Sequence, residues 1–184
     1  MKTKDLQNFR GLGLEPLHER LSEGSLDLIV IPEGLSDPDI ASVHLTEVAN
    51  AWMARPGLVT LSGPLSMHDL ANYPVLTEGR RSGSGLFFEK WLKSEGMMLQ
   101  RTLYTDSLVA LVGLTVAGLG ISYLPRQCFE PLVTEGKLTI IQTTPALPPV
   151  PYAAMYRSDR PSAFVSAIAM LALEVCDFSR QLQS

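Results

Sequence analysis

Cysteine is scarce: Cys128 and Cys176 are the only two in 184 residues, and no C-x-x-C motif pairs them. Two such thiols build no disulfide framework, and they read as small buried groups in a reducing compartment. Charge is thin as well. Lys and Arg number 15 against 19 Asp and Glu, a net charge of −4. No basic arm or stripe gathers those cations, so the chain is expected to bind DNA weakly or not at all. Long apolar runs are also lacking, since glycine and polar residues break each one short of the ~20 residues that a membrane span needs. The start, Met1 to Asp5, is basic but no apolar stretch follows it, so no export signal is readable and the expected compartment is the cytoplasm. His18, His44 and His68 are scattered, none with an i+3 or i+4 partner that makes a metal site. The expectation is therefore no metal and no cofactor.

What is abundant is hydrophobic residue, at 46%, enough for one large domain or two small lobes with a buried core. Leu14, Leu17 and Leu21 share one helical face, and Gly24 falls where a helix C-cap belongs. Leu26 to Ile31, closed by Pro32, reads as a strand buried on both faces. Leu45 to Ala54 reads as a second strand, and Ser62-Gly63-Pro64 as a lobe boundary. From Tyr73 onward strands and helices alternate. Pro74–Thr77 is a strand, and Gly83-Ser-Gly85 opens a helix that Gly96 stops. Leu99–Tyr104 is the next strand. Asp106-Ser107 caps a helix over Leu108–Ala117, and Gly118 and Gly120 close it. Ile121–Leu124 is a strand, Pro125 opens a helix at its first turn, and Leu138–Ile141 is a fourth strand. A proline-rich linker spans 144–151. Tyr152–Tyr156 is a late strand, and a final helix from Pro161 to about Leu182 carries Phe164, Ile168, Leu171, Val175 and Phe178 on its apolar face.

Strand–helix alternation with short links implies right-handed βαβ crossovers and a parallel sheet. In such sheets ligands bind beyond the carboxyl ends of the strands, where helix N-termini offer free amides. Two loops qualify. One is Thr77-Glu78-Gly79-Arg80-Arg81-Ser82-Gly83-Ser84-Gly85, which combines hydroxyls, guanidiniums and glycines. The other is Thr105-Asp106-Ser107. If their strands are neighbours the two mouths lie side by side, with a carboxylate as the natural guest. For any one of these residues the simpler role is helix capping. Enzyme motifs are wanting: no G-x-S-x-G elbow surrounds Ser62 or Ser82, Gly118-x-Gly120 follows a helix rather than opening one, and no spacing pairs Glu78, Glu89 and Asp106. The chain reads as a non-enzyme.

The order of motifs resembles a known family. Leu21-Ser-Glu-Gly24-Ser-Leu-Asp27-Leu, Asp69-Leu…Pro74-Val, the block Thr105 to Pro125 with its Gly118-Leu-Gly120-Ile, and Glu135-Gly136-Lys-Leu138 are similar to successive stretches of the effector domain of LysR-type transcriptional regulators, over about residues 15–180. The resemblance implies an α/β fold of two Rossmann-like lobes with mainly parallel sheets, like type-2 periplasmic binding proteins, joined by two crossing hinge strands. Lobe I would hold 1–65 and 150–184, and lobe II 66–149. It implies a small-molecule effector, carboxylate-bearing, in the interlobe cleft. It places candidate contacts at Ala54, at Thr77, Glu78, Gly79, Arg80 and Ser82, and at Thr105, Asp106 and Ser107. It implies assembly as a dimer or tetramer, and DNA contact only through a winged helix-turn-helix that this chain does not carry. The effector domain's first strand and helix are also expected to be missing, which puts one wall of the pocket in question. A solute receptor of the binding-protein class, an enzyme on the same scaffold, and a non-sensing remnant are the competing readings.

Overall fold

A computed structural model describes residues 14–33, 37–60, 63–79, 82–97, 102–105 and 107–177. Helix α1 (Leu14–Ser22) precedes strands β1 (Leu28–Pro32), β2 (Ile40–Val48) and β3 (Asn50–Ala54). A short β4 (Leu65–Ser66) and one-turn α2 (Met67–Leu70) lead into β5 (Val75–Glu78), α3 (Gly83–Ser94), β6 (Thr102–Thr105), α4 (Leu108–Val116) and β7 (Ile121–Pro125). Then come α5 (Glu130–Thr134), β8 (Thr139–Ile141), β9 (Thr143–Thr144), β10 (Val150–Arg157) and α6 (Ala163–Val175).

The strands form two main sheets, in the orders β1-β10-β2 and β6-β5-β7-β3-β8, with β4 and β9 as a small parallel pair. The α/β class expected from the alternation holds, and its parallel core is where the alternation was regular: β5 pairs in parallel with both β6 and β7. The first sheet is antiparallel throughout, and β3 runs antiparallel to β7 and β8. The reason is connectivity. Among the described residues no helix lies between β1, β2 and β3 to return the chain for parallel pairing, and β10 inserts between β1 and β2 from the far end of the sequence.

The expected single strand over Leu45 to Ala54 is two strands in different sheets. Only Ala49 separates β2 from β3, so an extended ribbon leaves the first sheet where Val48 pairs with Val150 and enters the second where Asn50 pairs with Pro125. Arg126 N–H donates to the Ala49 carbonyl at 2.9 Å and holds the transfer point. The chain returns between β9 and β10.

Each sheet buries both faces. On the five-stranded sheet, Trp52, Val75, Phe88, Leu92, Ile121 and Tyr123 form one core beneath α3. Met53, Leu76, Leu111, Leu124 and Leu138 form the other, with Phe129, Leu132 and Val133 packed against it. Crossovers that alternate between faces produce this: β5 leaves through α3 on one side, β6 and β7 through α4 and α5 on the other. On the three-stranded sheet, Leu21, Ile29, Ile31, Ala153 and Met155 pack beneath α1, and Ala154, Leu45 and Ala169 beneath α6. Helix α3 serves both layers. Its Phe88 lies in the larger core and its Leu86 against the three-stranded one. Val150 and Tyr152 of β10 also join the larger core.

Three local expectations are corrected. Val30 is 43% exposed, so β1 buries one face fully and not both, because it stands at the sheet edge while α6 lies over β2 and β10. Pro125 ends β7 instead of opening a helix. A 3-10 turn, Gln127–Phe129, follows, and Pro131 takes the first-turn position in α5. The stripe Phe164, Ile168, Leu171, Val175 on α6 faces solvent, with Phe164 74% exposed. The helix docks instead through Ala169, Ala172 and Cys176. Phe178 lies outside the described residues.

Candidate functional site

The carboxyl ends of β5, β6 and β7 lie at one edge of the five-stranded sheet. From there β5 turns toward α3 on one face, while β6 and β7 turn toward the other. Adjacent parallel strands whose connections leave on opposite faces open a crevice between their ends. Its walls come from local sequence. Ser82 caps α3 by accepting the Gly85 amide at 3.3 Å, and Ser107 caps α4 by accepting the Ala110 amide at 3.3 Å. Gly85 has a packing reason. A Cβ there would lie 2.9 Å from the Gly79 carbonyl oxygen and 3.0 Å from that of Glu78, so only glycine lets α3 start this close to the end of β5.

The two loops singled out in the sequence do meet. Glu78 is the register partner of Thr105, and the Gly79 amide donates to the Thr105 carbonyl at 3.1 Å. Thr77 is buried, Gly79 is buried, and Thr105 is half-buried. The Thr105 hydroxyl accepts the Ser107 amide at 3.2 Å. Glu78 is held from the α3 side: the Ser82 hydroxyl donates to its Oε2 at 2.6 Å and the Ser84 hydroxyl donates to the same oxygen. The protein's own carboxylate thus occupies the positive end of α3, where an incoming anion would otherwise sit. The N-terminus of α4 has no described carboxylate bonded to it. Arg80 and Asp106 lie outside the described residues.

Ala54 is not brought to this edge. Because β3 runs antiparallel to β7, its last residue sits at the opposite end of the sheet, fully buried and paired with Thr139. Its first residue, Asn50, takes the place near the crevice. Sequence reasoning also missed Tyr152 and Cys128. Burial pushes the Tyr152 hydroxyl up from 10.0 to about 12, and the Glu78 and Cys128 charges add to the shift. Tyr123 is raised as well, first by burial and then by Tyr152, with Asn50 pulling the other way. No local signal marks these residues. They gather only because β10 returns beside β2.

Beside the crevice, between α3 and the β5–β6 edge, lies a cavity of about 190 Å3. Thr77, Glu78, Phe88, Leu92, Met97 and Tyr104 are among its lining residues. Deeper in the same layer, Trp52 Nε1 is buried with no hydrogen-bond partner among the described residues. Among the described residues no three His, Cys, Asp or Glu side chains are placed to hold a metal ion, and no helix is long and apolar enough to cross a membrane.

A curated relative, the HTH-type transcriptional regulator CzcR of Bacillus subtilis (strain 168), is 28% identical over 94 residues, covering 51% of this chain and 33% of its own. The chain spans a third to two-fifths of the length of the first curated relatives it matches. Among solved structures, the effector binding domain of QuiR in complex with shikimate superposes with a TM-score of 0.74 at 16% identity, over 88% of this chain and 77% of that one. The regulatory domain of HypT from Salmonella typhimurium (M206Q mutant) gives 0.70 at 17% identity, over 89% and 80%. At these identities the likeness speaks for the fold. The family model described as the LysR substrate binding domain matches residues 13–177. The chain belongs to that family: it is a LysR substrate binding domain.

Proposed function

We propose that this domain is the sensing half of a LysR-type transcriptional regulator, and that it takes a small carboxylate-bearing metabolite in the crevice at the ends of β5, β6 and β7. The observation that carries the reading is the joining of the two mouths through Glu78–Thr105 register and the Gly79–Thr105 hydrogen bond. With Glu78 already at the start of α3, the guest carboxylate belongs at the start of α4. There the Thr105 and Ser107 hydroxyls and the first free amides face it, and Arg80 is the candidate cation from the neighbouring loop. QuiR's domain is in complex with shikimate and that of HypT with bromide, both anions.

Binding in a crevice between α3 and α4 changes transcription by shifting the two sheets, and with them the assembly of a dimer or tetramer. Contact with DNA belongs to a helix-turn-helix outside this chain. Isothermal titration of small aliphatic and aromatic carboxylates tests the reading. Thr105→Val and Arg80→Ala each weaken the best binder about ten- to a hundredfold, the value of one hydrogen bond to a charged group, without lowering the melting temperature. A folded sample that gives no heat with any carboxylate overturns it.

A further inference from the structure

The cavity beneath α3 has a chemistry of its own. Its about 190 Å3 exceeds the roughly 150 Å3 void that admits benzene, so it has room for one ring or a short chain. Phe88 and Leu92, both nearly fully buried, and Met97 give it an apolar wall. Among the described residues, three charged side chains line it: Glu78, Glu89 and Lys93. Lys93 and Glu89 pair at 3.1 Å on the more exposed side. Glu78 remains. Its hydrogen bonds come from the Ser82 and Ser84 hydroxyls, both on Oε2, and among the described residues no cation pairs with it.

Hydroxyls orient a carboxylate but do not neutralise it. A half-buried carboxylate fixed in place beside an apolar cavity gains most from a cationic guest. An anion there would face Glu78 across a partly desolvated gap, which disfavours it.

We propose that this cavity is a second ligand site, bordering the strand-end crevice at Glu78, for a small primary ammonium compound carrying one apolar ring or a short alkyl chain. The ammonium group bonds to Glu78, and the apolar body lies against Phe88, Leu92 and Met97. The site stands on the cavity and on Glu78, and does not depend on the carboxylate reading of the crevice.

Benzylamine, benzyl alcohol and benzoate, titrated into the 184-residue protein with amide chemical shifts as the readout, provide the test. Benzylamine binds about tenfold more tightly than benzyl alcohol, the step that one charge-assisted hydrogen bond supplies, and shifts the amides of α3 and β6. Glu78→Gln brings the two affinities together. Met97→Trp, which fills the cavity, abolishes both, with circular dichroism confirming the fold. Should that variant unfold, the Glu78→Gln comparison still decides. Thr105→Val leaves benzylamine affinity unchanged while it weakens carboxylates, so the two sites fail separately. Equal affinity for amine and alcohol, benzylamine binding untouched by Glu78→Gln, or no binding of either by folded protein overturns the proposal.

Discussion

Helix α4 presents one mouth of the crevice, and a pair of buried hydroxyls pins it to β7. Thr115 and Ser122 are both fully buried, and their oxygens lie 2.6 Å apart. Thr115 Oγ1 also bonds to the Leu111 carbonyl at 2.7 Å. A carbonyl only accepts, so the single threonine proton goes there and the Ser122 hydroxyl is the donor between the pair. The two substitutions are therefore unequal. Ser122→Ala leaves Thr115 with its bond to Leu111 and removes one accepted bond, a loss of about 0.5–1.5 kcal/mol. Thr115→Val keeps the shape but strands the Ser122 hydroxyl in a dry interior, at about 1–3 kcal/mol. The double variant removes both polar groups and falls below Thr115→Val alone. The coupling in a double-mutant cycle is then about 1–2 kcal/mol, opposing additivity. Urea unfolding at 25 °C, followed by circular dichroism, measures all four proteins, and about 1 kcal/mol corresponds to roughly 2–4 °C in melting temperature for a chain of this size. Additive losses, or a greater loss from Ser122→Ala than from Thr115→Val, would refute the donor assignment.

Further outcomes are expected elsewhere. Gly85→Ala forces α3 away from the Gly79 and Glu78 carbonyls and lowers stability by about 1–3 kcal/mol; an unchanged urea midpoint would show that the close approach is not needed. Phe164→Asp changes stability by less than about 0.5 kcal/mol, because the side chain is 74% exposed, and a loss of several kcal/mol in the same assay would restore it to the core. Tyr152 ionises near 10.0 when unfolded and near 12 when folded, so its contribution is complete below about pH 10 and is lost as the pH rises toward 12. Denaturant midpoints should fall across that window, and Tyr152→Phe should make the fall shallower; an equal fall in both proteins contradicts the burial of this hydroxyl.

The middle of the chain was legible because its signals are local. Ser82 and Ser107 cap the helices they were expected to start, and Gly96 and Gly118, expected to end helices, do so with positive φ angles. Alternation located the two mouths, and the pairing of β5 with β6 makes them neighbours. The rest was hidden for a different reason. Nothing at Ala49 says that the chain changes sheets, since the partners that separate β2 from β3 are β10 and β7, both distant in sequence. The direction of β3 decides whether Ala54 or Asn50 reaches the crevice, and pairing with β7 sets that direction. In α6 the large residues looked like the core face, but the helix packs through Ala169, Ala172 and Cys176 against Leu45 and Ala154, a choice of face that only the distant pairing of β2 with β10 sets.

That distant pairing also bears on how the molecule assembles. The register that joins Leu28 to Tyr156 closes a loop over nearly the whole described chain, whereas β5, α3, β6, α4 and β7 meet as successive neighbours. Loop closure on that scale is costly before any contact repays it. The five-stranded layer can therefore form during synthesis, while the three-stranded layer must wait for the last strand to emerge. In hydrogen exchange the amides of β1 open at lower free energy than those of β5 and β7.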